Sequence, residues 1–414
     1  MGEINRRQFL VAAGALTGTA VAAGLGSARA AGCDDCSNQK EGLQMETKES
    51  TTNISTVPRT MRAAQMTAFR GPIEVREVPV AAPRADGALV RVEASGVCRS
   101  DWHFWNQDLA WIGFNLTLPT NTGHEVGGVV EEIGREVRTI KVGDRVTIPF
   151  HESDGTCDQC RAGFQNLCDH VIVGGVQRVG GWAQYITVTA ADLNCIRLPD
   201  AVDSLSAAAL GCRYMTAYRA VVDRGRVQPG QWLAVHGCGG VGLSAVQIAA
   251  AADAIVVAVD VDERKLAKAR EEGAAATVNA RGLTPEQVGQ AVKDATGGGV
   301  HVSIEALGRG FTFHQSIQSL RKRGRHVQVG ITSQEERGQV ALPVDLLTLM
   351  EWELVGSLGN PHPKYAELLT LVARQKLRPA RLVTRQIGLG DVSDTLARMT
   401  RFDTVGFEVI TRFN

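Results

Sequence analysis

Two short stretches carry side chains that could hold a metal ion and move protons. Gly96-Val97-Cys98-Arg99-Ser100-Asp101-Trp102-His103 and Gly123-His124-Glu125-Val126-Gly127-Gly128 bring a thiol, a hydroxyl, two carboxylates and two imidazoles close together in the chain. Thiolate, imidazole and carboxylate all ligate zinc, and a catalytic zinc keeps one position open for water or substrate. Taken singly, each residue has an ordinary explanation, His103 as a surface histidine and Ser100 as a turn residue.

A second set, Asp154, Cys157, Cys160 and Cys168, has ligand-type residues at x2, x2 and x7 spacing. Three cysteines so arranged signal a structural zinc, with the Asp154 oxygen able to complete a tetrahedron at lower affinity. An empty lobe of free thiols and a Cys157–Cys160 disulfide are the alternatives. His151, Glu152 and His170 nearby read as solvated loop residues.

Gly237-Cys238-Gly239-Gly240-Val241-Gly242 follows an apolar strand and opens a helix. One glycine makes the tight turn, the next admits a pyrophosphate to the backbone, and the last lets helix pack on strand. Unpaired N–H groups and the positive dipole end of the helix then face the phosphates. Asp260 ends the next strand 18 residues beyond Gly242, placed to accept hydrogen bonds from the adenine ribose hydroxyls. Its charge would repel a 2′-phosphate, which favours NAD over NADP; Arg264 is the residue that could reverse that preference. An ordinary strand–helix turn is the plain alternative for the glycines.

With these motifs in this order, the chain from Met61 to Asn414 resembles the zinc-containing medium-chain dehydrogenase/reductase family. The resemblance implies zinc (Zn2+) on Cys98, His124 and Cys212, the last in Leu210-Gly211-Cys212-Arg213, with Glu125 an exchangeable ligand or close neighbour. Alone, Cys212 would pass for a core thiol. The resemblance further implies that Asp101 orients His124, that Ser100 takes the alcohol proton and that His103 passes it to solvent through the nicotinamide ribose. Arg99 would contact the pyrophosphate, and Phe150 would line the substrate cleft. Two departures stand out: Asp154 replaces a usual fourth cysteine, and Val405-Gly406-Phe407 stands where many relatives carry an arginine for the cofactor phosphates.

These residues must be positioned by two kinds of element. From Met61 to about Ile196, short alternating segments such as Ala88 to Val92 and Val142 to Val146 predict a β-rich domain. From about Gln231 the pattern alternates strand and helix: Trp232 to His236, Val241 to Ala252, Ile255 to Asp260, Glu263 to Glu272, Thr277 to Asn279, Val300 to Glu305 and Arg325 to Gly330. Such alternation predicts an α/β, doubly wound parallel sheet of Rossmann type. A helix over Lys364 to Gln375 and a strand over Phe407 to Thr411 should return to the first domain, which the resemblance makes GroES-like. The expected boundaries are 61–212 with 357–414 for the catalytic domain and 213–356 for the NAD-binding domain.

With 414 residues, more than one domain is expected, and 44 basic against 44 acidic residues give no reason to expect nucleic acid or an anionic membrane as partner. Ahead of the fold, Arg6-Arg7-Gln8-Phe9-Leu10, a weakly apolar Ala/Gly stretch and Ala28-Arg29-Ala30 read as a twin-arginine export leader over 1–31. Glycine and alanine supply too little transfer free energy for stable membrane insertion. A polar linker over 32–60 carries Cys33 and Cys36, read as thiols on a tether. The location expected is periplasmic or exported, or cytoplasmic if the leader is unused. Trp102, Trp105 and Trp111 suggest an aromatic cleft suited to an apolar alcohol and its carbonyl product. Competing readings are a polyol or hydroxy amino acid dehydrogenase of the same fold, and a zinc- and nucleotide-binding sensor without turnover. The resemblance implies a homodimer or homotetramer.

Overall fold

The computed structural model describes residues 57–414. The leader, Cys33, Cys36 and nearly all of the linker lie outside the described residues. The first strand begins at Thr60.

A parallel sheet runs in the order Ala274–Asn279, Ile255–Asp260, Trp232–His236, Val300–Glu305, Leu320–Gln328, Glu353–Gly356. The earliest strand of the segment is central, and the order reverses beside it, which opens a crevice at the strand ends. Both faces of this sheet are buried. Leu233 and Val235 pack with Leu243 and Val246 of the helix Gly240–Ala251, while Ala234 between them packs with Val288, Val292 and Ile317 on the other side. A strand apolar at every position is what helices on both faces require.

The β-rich sheet runs Val383–Gly388, Phe407–Arg412, Ala88–Val97, Glu125–Ile133, Arg145–Ile148, Ile196–Arg197, with Tyr185–Val188 also pairing Ala88–Val97. The chain returns at its end to pair Glu408 with Val97 and Ile410 with Ser95. The register Gly96 opposite Glu125 is the decisive one, because it sets Cys98 and His124 side by side.

Two local expectations change. Val142 stands in an exposed turn, with Gly143 at φ 89°, and the strand starts only at Arg145. His151 and Glu152 are not solvated: they form a short strand against Ile172 and Val173 and are each 1% exposed. Glu152 is neutralised by Arg178 and accepts hydrogen bonds from the Thr189 amide and hydroxyl, 2.9 Å each, so polar partners replace water.

The helix Ser204–Leu210 lies on the strand Glu125–Ile133 and delivers Cys212 just past its end. Contact is close because Gly127 has no side chain: a Cβ there would meet Ala207 Cβ at 2.6 Å and the Ser204 carbonyl at 2.9 Å. Gly127→Ala is therefore expected to lower stability by about 1–3 kcal/mol through overpacking, read from the urea midpoint.

Candidate functional site

Cys98 caps the helix Arg99–Trp105, His124 precedes the strand Glu125–Ile133, and Cys212 occupies the turn between two helices. One ligand atom from each lies within 4.8 Å of the other two. Asp101, fully buried, ties this cradle together. It accepts hydrogen bonds from the Cys98 amide at 2.9 Å, the Gly123 amide at 2.9 Å and His124 Nδ1–H at 3.0 Å. His124 Nε2 is left buried with no hydrogen-bond partner, facing two sulfurs. An orphaned imidazole nitrogen beside paired thiols fits a zinc ion. The Cys212 thiol, together with His124, holds Cys98 well below the ordinary thiol range, while the same contact and burial push Cys212 far above it. Thiolate is the form that ligates metal, and the opposed shifts favour giving up the Cys98 proton first.

Glu125 turns away from this group. Arg213 donates from Nε to Oε1 at 2.8 Å and from a terminal nitrogen to Oε2, and the Arg213 amide adds a bond of 3.0 Å. Of the two roles expected for Glu125, the geometry is that of the close neighbour, because both oxygens are occupied. Burial pushes its carboxyl upward, and the Arg213 charge opposes that. Arg213 also stacks on Phe407, 3.9 Å from the ring centre. Its importance escaped the sequence, although a charged residue opening the apolar helix Arg213–Arg219 directly after Cys212 is the signal that could have shown it.

A cleft of about 310 Å³ runs from the glycine loop past Cys98, Ser100, His103, His124 and Cys212. Ser100 Oγ is 3.9 Å from Cys98 Sγ. His103 Nδ1 bonds Asp108 at 2.7 Å, leaving Nε2 for proton transfer, and this contact holds the Asp108 carboxyl below its ordinary range. The walls are Phe104, Leu109, Phe114 and Phe150, and the rings of Phe104 and Phe150 stand edge-on to His124. None of the three tryptophans lines the cleft. Trp102 supports Arg99, Trp105 donates to the Gly71 carbonyl and Trp111 packs against Gly338, because the helix carrying the first two turns those faces away.

In the dinucleotide loop, Gly242 is obligatory: a Cβ would fall 1.8 Å from the Gly237 carbonyl oxygen. At Gly239 a Cβ would meet nothing within 4 Å, so that space is open for a phosphate. Gly237, Gly239, Gly240, Val241 and Asp260 all line the cleft, joined by Lys265, which the sequence reading did not single out. Asp260 takes bonds from the Cys238 and Asp262 amides at 2.8 and 3.0 Å, which orients its carboxylate. Arg264 is held by Asp262 and Asp403, both at 2.7 Å, so its charge is already matched. Arg99 lines the cleft between Trp102 and Phe402 and donates to the Met399 carbonyl at 2.6 Å; burial lowers its pKa to about 10. NAD fits this set better than NADP.

The second lobe gathers Asp154, Cys157, Cys160 and Cys168, again within 4.8 Å. Cys157 Sγ accepts bonds from the Cys160 and Asp169 amides, 3.5 Å each, a setting that favours thiolate. The described cysteines are all free, so the disulfide alternative is not formed. His170 is exposed, yet its ring bonds Asp154 Oδ2 at 2.7 Å and so aims the carboxylate at the sulfurs.

Asp101→Asn keeps the shape but loses the charge that fixes His124. Zinc affinity of the first cradle is expected to fall about 10- to 100-fold, measured by competition with a chelator.

Two sequence-family models match in succession, an alcohol dehydrogenase GroES-like domain over residues 84–200 and a zinc-binding dehydrogenase domain over 240–374. An alcohol dehydrogenase of Geobacillus stearothermophilus is 33% identical over 82% of this chain and 96% of its own length. An NAD-dependent alcohol dehydrogenase of Sulfurisphaera tokodaii is 30% identical over 84% of this chain and 99% of its own. Among solved structures, a zinc-binding dehydrogenase of Sinorhizobium meliloti bound to NADP aligns with a TM-score of 0.73 at 29% identity, over 85% of this chain and 99% of that one. The chain belongs to the zinc-containing alcohol dehydrogenase family of medium-chain dehydrogenases.

Proposed function

We propose that this protein is an NAD-linked, zinc-dependent alcohol dehydrogenase that interconverts an alcohol with its aldehyde or ketone. The observation that carries the reading is the opening of the Cys98, His124, Cys212 cradle onto the same cleft as the glycine loop. When bound, zinc supplies Lewis acidity toward the alcohol oxygen and NAD supplies the hydride acceptor. Asp101 fixes the His124 tautomer so that Nε2 points into the cradle. Ser100 takes the alcohol proton, and His103, held by Asp108, passes it on toward solvent. The phenylalanine walls exclude water and favour an apolar carbon chain beside the reacting carbon.

Asp260 would engage the ribose hydroxyls, and Arg264, matched by two carboxylates, would be held away from a 2′-phosphate. The second lobe would hold a structural zinc on Asp154, Cys157, Cys160 and Cys168.

Arg6-Arg7 and the Ala28-Arg29-Ala30 site support export by the twin-arginine route, which carries folded proteins, so metal and cofactor could be loaded first. Val344, Leu346 and Leu349, exposed on the helix that precedes the edge strand Glu353–Gly356 in the chain, support a homodimer or homotetramer. Cell fractionation, followed by light scattering on the mature protein, checks both; uncleaved cytosolic precursor or a monomer would remove the respective proposal.

Zinc-loaded protein with NAD and a panel of primary and secondary alcohols is expected to produce reduced nicotinamide absorbance. Ser100→Ala should lower kcat by about a hundredfold or more while NAD still binds. Absence of turnover with every alcohol, at full zinc occupancy, would favour the sensor reading.

A further inference from the structure

The cleft does not end at its phenylalanine walls. Beyond Phe150 it reaches His151, Asn166 and Ser357, and behind these stand Arg219, Asn360 and His362. The group is compact. The rings of His151 and His362 stack with centroids 5.3 Å apart, and Asn166 and Arg219 both donate to the Leu358 carbonyl, at 2.7 and 3.1 Å.

What sets this recess apart is the number of buried polar atoms without a partner. Both ring nitrogens of His151 and His362, both amide atoms of Asn360, Asn166 Oδ1, Ser357 Oγ and Arg219 Nε make no hydrogen bond. Backbone atoms of His151 and Asn360 approach the rings but miss hydrogen-bond geometry. Proteins rarely leave such groups bare, so a concentration of them beside a substrate cleft points to a polar occupant.

The donor and acceptor balance identifies that occupant. Burial keeps both imidazoles neutral, His362 down to about 4, so each ring offers one donor and one acceptor. Of the groups that line the cleft beside His151, Ser357 also offers both and Asn166 adds an acceptor. Only Arg219 is a pure donor, and the nearby Asp223 is taken by Lys364 at 3.3 Å. A carboxylate would leave the acceptors facing an anion, whereas a hydroxyl both donates and accepts.

Building on the alcohol dehydrogenase reading, we infer that the recess around His151 binds the second hydroxyl of a diol, making alcohols with a remote hydroxyl the preferred substrates. The Phe150 ring separates the two ends, its centroid 6.2 Å from that of His124 and 4.7 Å from that of His151. The second hydroxyl therefore lies several carbons from the reacting one, with an apolar stretch along Phe150. The tryptophan cluster that suggested an apolar alcohol lies outside the cleft.

The test compares straight-chain terminal diols from butane to hexane with the n-alkanols of equal length, using zinc-loaded enzyme and NAD. At one length the diol should exceed its alkanol in kcat/KM by about tenfold or more, the worth of one or two buried hydrogen bonds. His151→Leu and Ser357→Ala should each shrink that ratio at least severalfold, through KM for the diol. A wild-type ratio at or below one at every length, as a recess holding only water would give, overturns the inference; so does a ratio indifferent to both substitutions. Failure to turn over either series would instead sink the alcohol dehydrogenase reading. The recess is still decided in that case by thermal melting of the NADH complex, which a diol should raise above its matched alkanol in wild type and not in the variants.

Discussion

One buried carboxylate organises the reactive end of this protein. Asp101 receives three N–H groups, from Cys98, Gly123 and His124, which arise from a helix start, a strand start and an imidazole. Each bond alone is modest, but in a water-free setting the three leave the carboxylate satisfied and the groups around it fixed. The same oxygens stabilise the first turn of the helix Arg99–Trp105 and choose the His124 tautomer. Metal geometry and local folding are thus one problem with one solution.

A second buried charge joins the cradle to the cofactor loop. Glu125 and Arg213 are both almost wholly inaccessible, and Arg213 touches Phe407 on the returning C-terminal strand. A Cβ on Gly240 would come within 2.5 Å of the Arg213 side chain, so the start of the dinucleotide helix also rests on it. Losing one partner of such a pair strands a charge, which costs about 3–5 kcal/mol. The pair consequently holds three segments distant in sequence in one register, and the metal and nucleotide halves of the cleft face each other because of it.

The cleft itself is graded. Phenylalanines surround the imidazole and sulfurs, where low polarity strengthens electrostatic interactions, and a recess of imidazole, amide and hydroxyl groups lies past Phe150. An apolar passage between two polar ends selects by length as well as by polarity, since only a chain spanning Phe150 reaches both.

Much of this was legible from local pattern. The glycine loop, the cysteine spacing of the second lobe and the alternating strands and helices after Gln231 are encoded within short windows, where backbone sterics and periodicity act directly. The pairing of Cys98 with His124 was legible too, through a resemblance resting on several motifs in one order. Tertiary structure alone decided that His151 and Glu152 are buried, that Glu125 belongs to Arg213, and that Trp102, Trp105 and Trp111 stay out of the cleft that Phe150 lines. Those outcomes depend on strand register and on which side of a short helix meets a partner distant in sequence. No local window contains that information, because burial is a property of the assembled layers and not of the residue.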